Sequence, residues 1–214
     1  MEFINKEIQD YSDKHSSPEP IVLQELNRET HAKVMSPRML SGHFQGRLLS
    51  LFSKMLQPKL VIEVGTYTGY SALCLAEGLR EGGKLHTIDI NPEQEKRIRT
   101  YIEKAGFTDK IELHIGNAKD IIPKIEGEID LVFIDADKSN YYIYFELVAD
   151  RMSKGGLVIA DNVLWSGKIL DEKERIKDKD TKALHEFNEK VSQDPRFEAL
   201  LMPIRDGLMV LRRK

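Results

Sequence analysis

Two apolar runs in this chain of 214 residues end in oxygen-bearing side chains. IDLVFIDADK carries Asp135, Asp137 and Lys138 just past its apolar stretch, and GGLVIADN carries Asp161 and Asn162 at the corresponding place. Taking a charge out of water is costly unless it is paired or coordinates a metal. Three carboxylates and an amide at two successive strand ends therefore call for a cation. An oxygen-only set suits a hard divalent ion, Mg2+ or Mn2+, with positions left open for water or substrate. The competing possibility, capping groups on a solvated loop, leaves the recurrence at both ends and the adjacent lysine without a reason.

A second group lies upstream. KLVIEVG runs into Thr66-Tyr67-Thr68-Gly69-Tyr70-Ser71, so Gly65 and Gly69 can turn the chain tightly and bring backbone close to a ligand. A dinucleotide loop would read G-x-G-x-x-G. Here the pattern is G-x-x-x-G with Glu63 two positions ahead, and an acid there repels a pyrophosphate but suits an ammonium group. KLHTIDI ends in Asp89, placed to accept hydrogen bonds from both hydroxyls of a ribose; the alternative makes it the cap of the helix that follows. After the third apolar run, Gly116-Asn117-Ala118 leaves room for a flat base.

These residues must be positioned by a common frame. KLVIEVG, KLHTIDI, KIELHIG, IDLVFIDAD and GGLVIAD are short, rich in Val and Ile, and continuously apolar, as parallel strands covered on both faces must be. Between them SALCLAEGLR, EQEKRIRTYIEKAG and NYYIYFELVADRM have helical patterns, the second opening at Asn91-Pro92 and closing at Gly106. Such alternation gives right-handed crossovers and an α/β sheet with helices on both faces, whose ligands collect beyond the carboxyl ends of the strands. Ahead of this core, residues 2–14, 19–34 and 43–55 read as helices that cover a crevice or form a subunit contact. After it, DEKERIKDKDTK reads as a solvated, mobile connection, followed by a helix over 181–192. RFEALLMPIRDGLMVLRRK reads as two antiparallel strands joined tightly across Arg205-Asp206-Gly207. The expected organisation is one domain over 1–214, with a helical cover to residue 56 and the α/β core over 57–214.

Composition narrows the function classes. A formal net charge of -3 argues against a domain built to neutralise nucleic-acid phosphates. No apolar run reaches the roughly 18 residues of a membrane span, and the polar, acidic start lacks the pattern of a secretory signal. The single cysteine, Cys74, excludes an internal disulfide and fits a cytoplasmic setting. No histidine pair shows H-E-x-x-H spacing, which disfavours a zinc protease.

The glycine loop, Asp89 and the turn at Asn117-Ala118 together resemble the S-adenosylmethionine-binding half of class I methyltransferases. FIDADKSNY followed by IADNVLWSGKI is similar to the cation-dependent O-methyltransferases of the caffeoyl-coenzyme A and catechol type, and the similarity extends from about Met39 through PIRDGLMVLRRK. The resemblance implies a Rossmann-like class I methyltransferase fold with a mostly parallel seven-stranded sheet and extra N-terminal helices. It assigns Asp135, Asp161 and Asn162 to the metal (Mg2+, or Mn2+ or Ca2+), with Lys138 as general base among the catalytic residues. It assigns Met39, Glu63, Gly65, Tyr67, Ser71, Asp89, Asn117, Ala118, Asp135 and Asp137 to S-adenosylmethionine, with Gly65 behind the methionine portion. It also implies a small phenolic acceptor and a homodimer. The family's S-x-x-x-G-Q-x-L pattern is only partly kept in Ser41-Gly42-His43-Phe44-Gln45-Gly46-Arg47-Leu48.

The chemistry is coherent. A sulfonium methyl is already activated, so the protein must supply a good nucleophile in line with the carbon–sulfur bond. A metal on both oxygens of an ortho-diphenol makes the phenolate accessible, and a neighbouring cation favours the neutral lysine that can accept the proton. Trp165 follows the metal group closely enough to wall the acceptor, and Arg212, Arg213 and Lys214 could attract an anionic one. Two rivals stay open at this level: a nicotinamide-dependent oxidoreductase on a related core, and a non-catalytic binding protein on a methyltransferase scaffold.

Overall fold

The computed structural model describes residues 5–214; residues 2–4 of the first expected helix lie outside them. The central sheet comprises β1 (Leu60–Val64), β2 (Lys84–Asp89), β3 (Ile111–Ile115), β4 (Ile129–Ile134), β5 (Met152–Asp161), β6 (Phe197–Met202) and β7 (Leu208–Arg213). Its order is β3-β2-β1-β4-β5-β7-β6. The first five strands are parallel, and β7 is antiparallel to both β5 and β6. The chain thus reverses its direction of travel across the sheet between β3 and β4. β1 and β4 lie side by side at that reversal, where ligands collect in such folds.

Continuous apolarity in the strands serves two cores. Leu60, Ile62, Val64, Val132 and Ile134 face one side, packed with Tyr141, Phe145, Leu184 and Phe187. Val61, Leu85, Leu131 and Phe133 face the other, packed with Leu23, Leu26, Leu49, Leu73 and Ile98. The helices that supply these residues are α2 (Ile21–Lys33), α3 (Gly42–Leu56), α4 (Tyr70–Ala76), α5 (Glu95–Lys104), α7 (Tyr141–Ala149) and α9 (Lys179–Ser192). The shorter α1 (Lys6–Lys14) and α8 (Glu172–Lys177) bury no residue, whereas α6 (Ala118–Ile121) buries Ala118. No described helix is long and apolar enough to cross a membrane.

The charged run at 171–182 departs from its expected form. It contains α8 and the start of α9, each opened by an aspartate whose side chain accepts a backbone N–H: Asp171 from Lys173 and Asp178 from Asp180. Capping gives these two acids a local role, while the segment stays largely exposed. The connection between β6 and β7 is longer than a two-residue hairpin. It spans residues 203–207 and closes with Gly207 N–H on Ile204 C=O at 2.9 Å.

Candidate active site

The carboxyl ends of β1, β2, β3 and β4 surround a cavity of about 510 Å³. Of the residues assigned to cofactor by the sequence, Met39, Gly65, Tyr67, Asp89, Asn117, Ala118, Asp135 and Asp137 line it; Glu63 and Ser71 do not. The glycine loop is held in place by Asp89, whose Oδ2 accepts from Thr66 N–H at 3.1 Å and Tyr67 N–H at 2.8 Å. Its Oδ1 accepts from Asn91 N–H at 2.8 Å. The helix cap beyond it belongs to Asn91, which accepts from Glu93 N–H. A carboxylate has about four lone-pair sites, so Asp89 retains capacity to bind a ligand facing the cavity.

Gly65 has a second reason to be glycine. It sits at φ +98°, and a Cβ there would lie 1.9 Å from the Asp135 carbonyl oxygen. Its smallness thus lets the β1 loop close onto the end of β4. Glu63 lies beneath this loop, fully buried, and accepts from Thr87 Oγ1 at 2.5 Å. Burial pushes its carboxyl up to about 8, against the opposing influence of Ser71 and Thr87. Burial thus favours its protonated form, and it lies below the loop, outside the cavity lining. Above the cavity, Tyr67 Oη donates to the carbonyls of Met35 and Ser36, at 3.0 and 3.2 Å. These bonds tie the Val34–Met39 segment over the opening.

The second group converges at the ends of β4 and β5. Lys138 is buried, and its Nζ donates to Asp135 Oδ1 at 3.1 Å, Asn162 Oδ1 at 3.0 Å and Tyr141 Oη at 2.5 Å. Tyr141 in turn donates to the Asp161 carbonyl at 3.0 Å. Burial holds the Tyr141 phenol well above its ordinary value, so it remains neutral. Asp161 accepts from Gln45 Nε2 at 2.6 Å and from Asn162 N–H at 2.7 Å. Burial first, and then the charge of Asp135, push Asp161 up to about 6. Asn162 has φ +59°, a left-handed conformation that asparagine tolerates better than most residues. Asp137 accepts from Tyr144 Oη at 2.6 Å and from Asn140 Nδ2, on the cofactor side.

The donor set fits a hard divalent cation. Asp135 and Asn162 already direct oxygens at a positive charge, the Lys138 ammonium. Asp135 and Asp161 repel each other in a way that a shared cation would relieve. Trp165 is close by, with Lys138 Nζ 5.8 Å from the centre of its ring.

Three further contributors are assigned no role from the sequence. Gln45 lies in a pattern that matches the family only in part, Tyr141 in an apolar helix, and Arg205 in a turn. The Arg205 Nη1 donates to Gln45 Oε1 at 2.9 Å and to the Ser41 carbonyl, and its Nη2 to the Leu40 carbonyl at 3.2 Å. Asp206 and Gly207 brace the other flank: Leu164 N–H donates to the Asp206 carbonyl at 2.9 Å and Val163 N–H to that of Gly207 at 3.1 Å. The Arg205-Asp206-Gly207 turn therefore holds both the N-terminal segment and the loop after Asn162. The basic C-terminus, by contrast, is remote. Arg212 pairs with Leu157 while Leu208 pairs with Asp161, which puts Arg212–Lys214 toward the opposite end of the sheet.

Comparison with known proteins agrees with this arrangement. Residues 13–214 match the model of the O-methyltransferase family. The chain is 34% identical to caffeoyl-CoA O-methyltransferase 5 of Nicotiana tabacum and 35% identical to the caffeoyl-CoA O-methyltransferase of Petroselinum crispum, in each case over 91% of this chain and 85% of the relative. Among solved structures, the SAH-bound methyltransferase PaMTH1 of Podospora anserina superposes with a TM-score of 0.88 at 30% identity, over 99% of this chain and 97% of that one. An O-methyltransferase from Bacillus cereus in complex with SAH gives 0.89 at 27% identity, over 97% of each chain. These relationships displace the oxidoreductase and the non-catalytic alternatives. The chain belongs to the O-methyltransferase family and is an S-adenosylmethionine-dependent O-methyltransferase.

Proposed function

We propose that the protein methylates one hydroxyl of an ortho-dihydroxy aromatic small molecule or its CoA thioester, with a divalent cation at Asp135, Asp161 and Asn162. The observation that carries this reading is the convergence of Asp135, Asn162 and Lys138 through bonds of about 3 Å, with Asp161 adjoining and the cofactor cavity opening at Asp135. Mg2+, Mn2+ or Ca2+ bound there would fix two neighbouring phenolic oxygens and favour ionisation of one.

The protein's own groups then divide the work. Asp89 holds the ribose hydroxyls, Asn117 and Ala118 flank the base, and Gly65, Tyr67, Met39 and Asp137 enclose the rest of S-adenosylmethionine. Glu63 and Ser71 support that loop from below. Lys138 accepts the acceptor's proton at Nζ, and Tyr141 fixes the amine by a hydrogen bond. Trp165 walls the acceptor and limits water, so that phenolate and sulfonium neutralise each other in fixed geometry. A second cavity of about 560 Å³, lined in part by Lys6, Arg38, His43 and Arg205 together with Asp13 and Asp206, offers polar groups of both signs to an extension of the acceptor. We further propose that the chain works in the cytoplasm as a homodimer, consistent with exposed Leu51 and Met55 on α3.

Calorimetry of a catechol titrated into the SAH-loaded protein tests the metal assignment. Binding that needs Mg2+ in the wild type and is lost in Asp161→Asn supports it. Equal catechol affinity with chelator, or in the variant, would remove the cation from the acceptor site.

A further inference from the structure

We propose that His86, Glu112 and His114 form a binding site for a zinc-type divalent cation, separate from the active site. His86 lies on β2, and Glu112 and His114 lie two residues apart on the sheet-edge strand β3, so their side chains share one face of the sheet. His86 and Glu112 are direct cross-strand partners. His86 Nδ1 is 3.0 Å from His114 Nε2 and 3.7 Å from a Glu112 carboxylate oxygen, while His114 Nε2 is 3.6 Å from the other.

Only the imidazole pair is within hydrogen-bond distance. The two imidazoles can share one hydrogen bond, and the Glu112 carboxylate lies just beyond bonding distance of both. Zinc–nitrogen bonds of about 2.0–2.1 Å at tetrahedral angles place neighbouring ligand atoms about 3.3 Å apart, close to the spacings found here. Two imidazoles and a carboxylate select zinc and its late-transition neighbours over Mg2+ or Ca2+, and leave a fourth position for water. Both histidine side chains are largely covered, at 16% and 23% exposure, whereas Glu112 is 56% exposed and can swing inward. Burial lowers the His86 pKa, which favours the neutral ring that binds metal.

The position gives such an ion a structural consequence. Asp89 follows His86 by three residues and Asn117 follows His114 by three, and both line the cofactor cavity. An ion at the triad would cross-link β2 to β3 directly below the strand ends that carry them.

Zinc chloride titrated into the full chain tests this, with binding followed by calorimetry and thermal unfolding. The wild type should take up a Zn2+ equivalent that persists in an Asp135→Asn/Asp161→Asn variant and is absent from His86→Gln/His114→Gln. Zn2+ should raise the Tm of the aspartate variant, and Mg2+ should not. Should the double-histidine variant fail to fold, Glu112→Gln at the exposed ligand should still weaken Zn2+ binding roughly tenfold or more. Zn2+ uptake unchanged by the histidine and glutamate substitutions, or wholly lost with the two aspartates, would overturn the site.

Discussion

Lys138 is held by three oxygen acceptors on three sides, so its amine is fixed where a proton must leave the acceptor. Lys138→Met should lower kcat far more than it raises KM, with part of the activity returning at high pH as the acceptor ionises unaided. A defect confined to KM would make Lys138 a binding group instead. Asp89 shares its carboxylate between the glycine loop and the cavity. Asp89→Ala should weaken S-adenosylmethionine binding by roughly 1.5–3 kcal/mol, the worth of a hydrogen bond to a charged group. Calorimetry that found unchanged cofactor affinity would reduce Asp89 to a brace for Thr66 and Tyr67. Asp135, Asp161 and Lys138 were legible because charges crowded at the end of a buried strand are costly unless they bind something. The links of Gln45 and Tyr141 to Asp161 and of Arg205 to Gln45 were not, because they span 20 residues or more of sequence, and no local pattern records such a partner.

At the scale of elements, the parallel strands declared themselves through short runs rich in Val, Ile and Leu, while the charged segment at 171–182 concealed α8 and the start of α9. Its acids serve as caps, and Asp178 does so while also accepting from Thr181 Oγ1 at 2.6 Å and Trp165 Nε1 at 3.4 Å. One aspartate therefore starts α9 and steadies the tryptophan beside Lys138. Asp178→Ala should lower stability through the lost cap, measured by urea unfolding, and should raise KM for the aromatic acceptor. A variant as stable as the wild type would show that the cap is dispensable. The order of strands in space was not readable from periodicity. It depends on which apolar runs meet, and the runs themselves do not record their neighbours.

Across the whole molecule, Glu63 places an ionisable group at the middle of the sheet, with its folded-state carboxyl raised to about 8 from 4.5. Between those values the unfolded chain has lost this proton and the folded chain keeps it. The contribution of Glu63 to stability therefore falls as pH rises through that window and levels off above it. Glu63→Gln, which imitates the protonated form, should flatten this slope and gain on the order of 3 kcal/mol relative to wild type between pH 5 and pH 8. Parallel pH profiles for the two proteins in chemical denaturation would contradict the neutral, buried state. The same sheet joins the two halves of the site, since β1 meets β2 on one side and β4 on the other. The central claim is that these halves act together on an ortho-dihydroxy acceptor. Transfer of labelled methyl from S-adenosylmethionine to catechols and to matched monophenols, with Mg2+ and with chelator, tests it most directly. The account predicts transfer to catechols alone, abolished by chelator and restored by metal. Equal transfer to monophenols, or transfer that survives chelation, would contradict it.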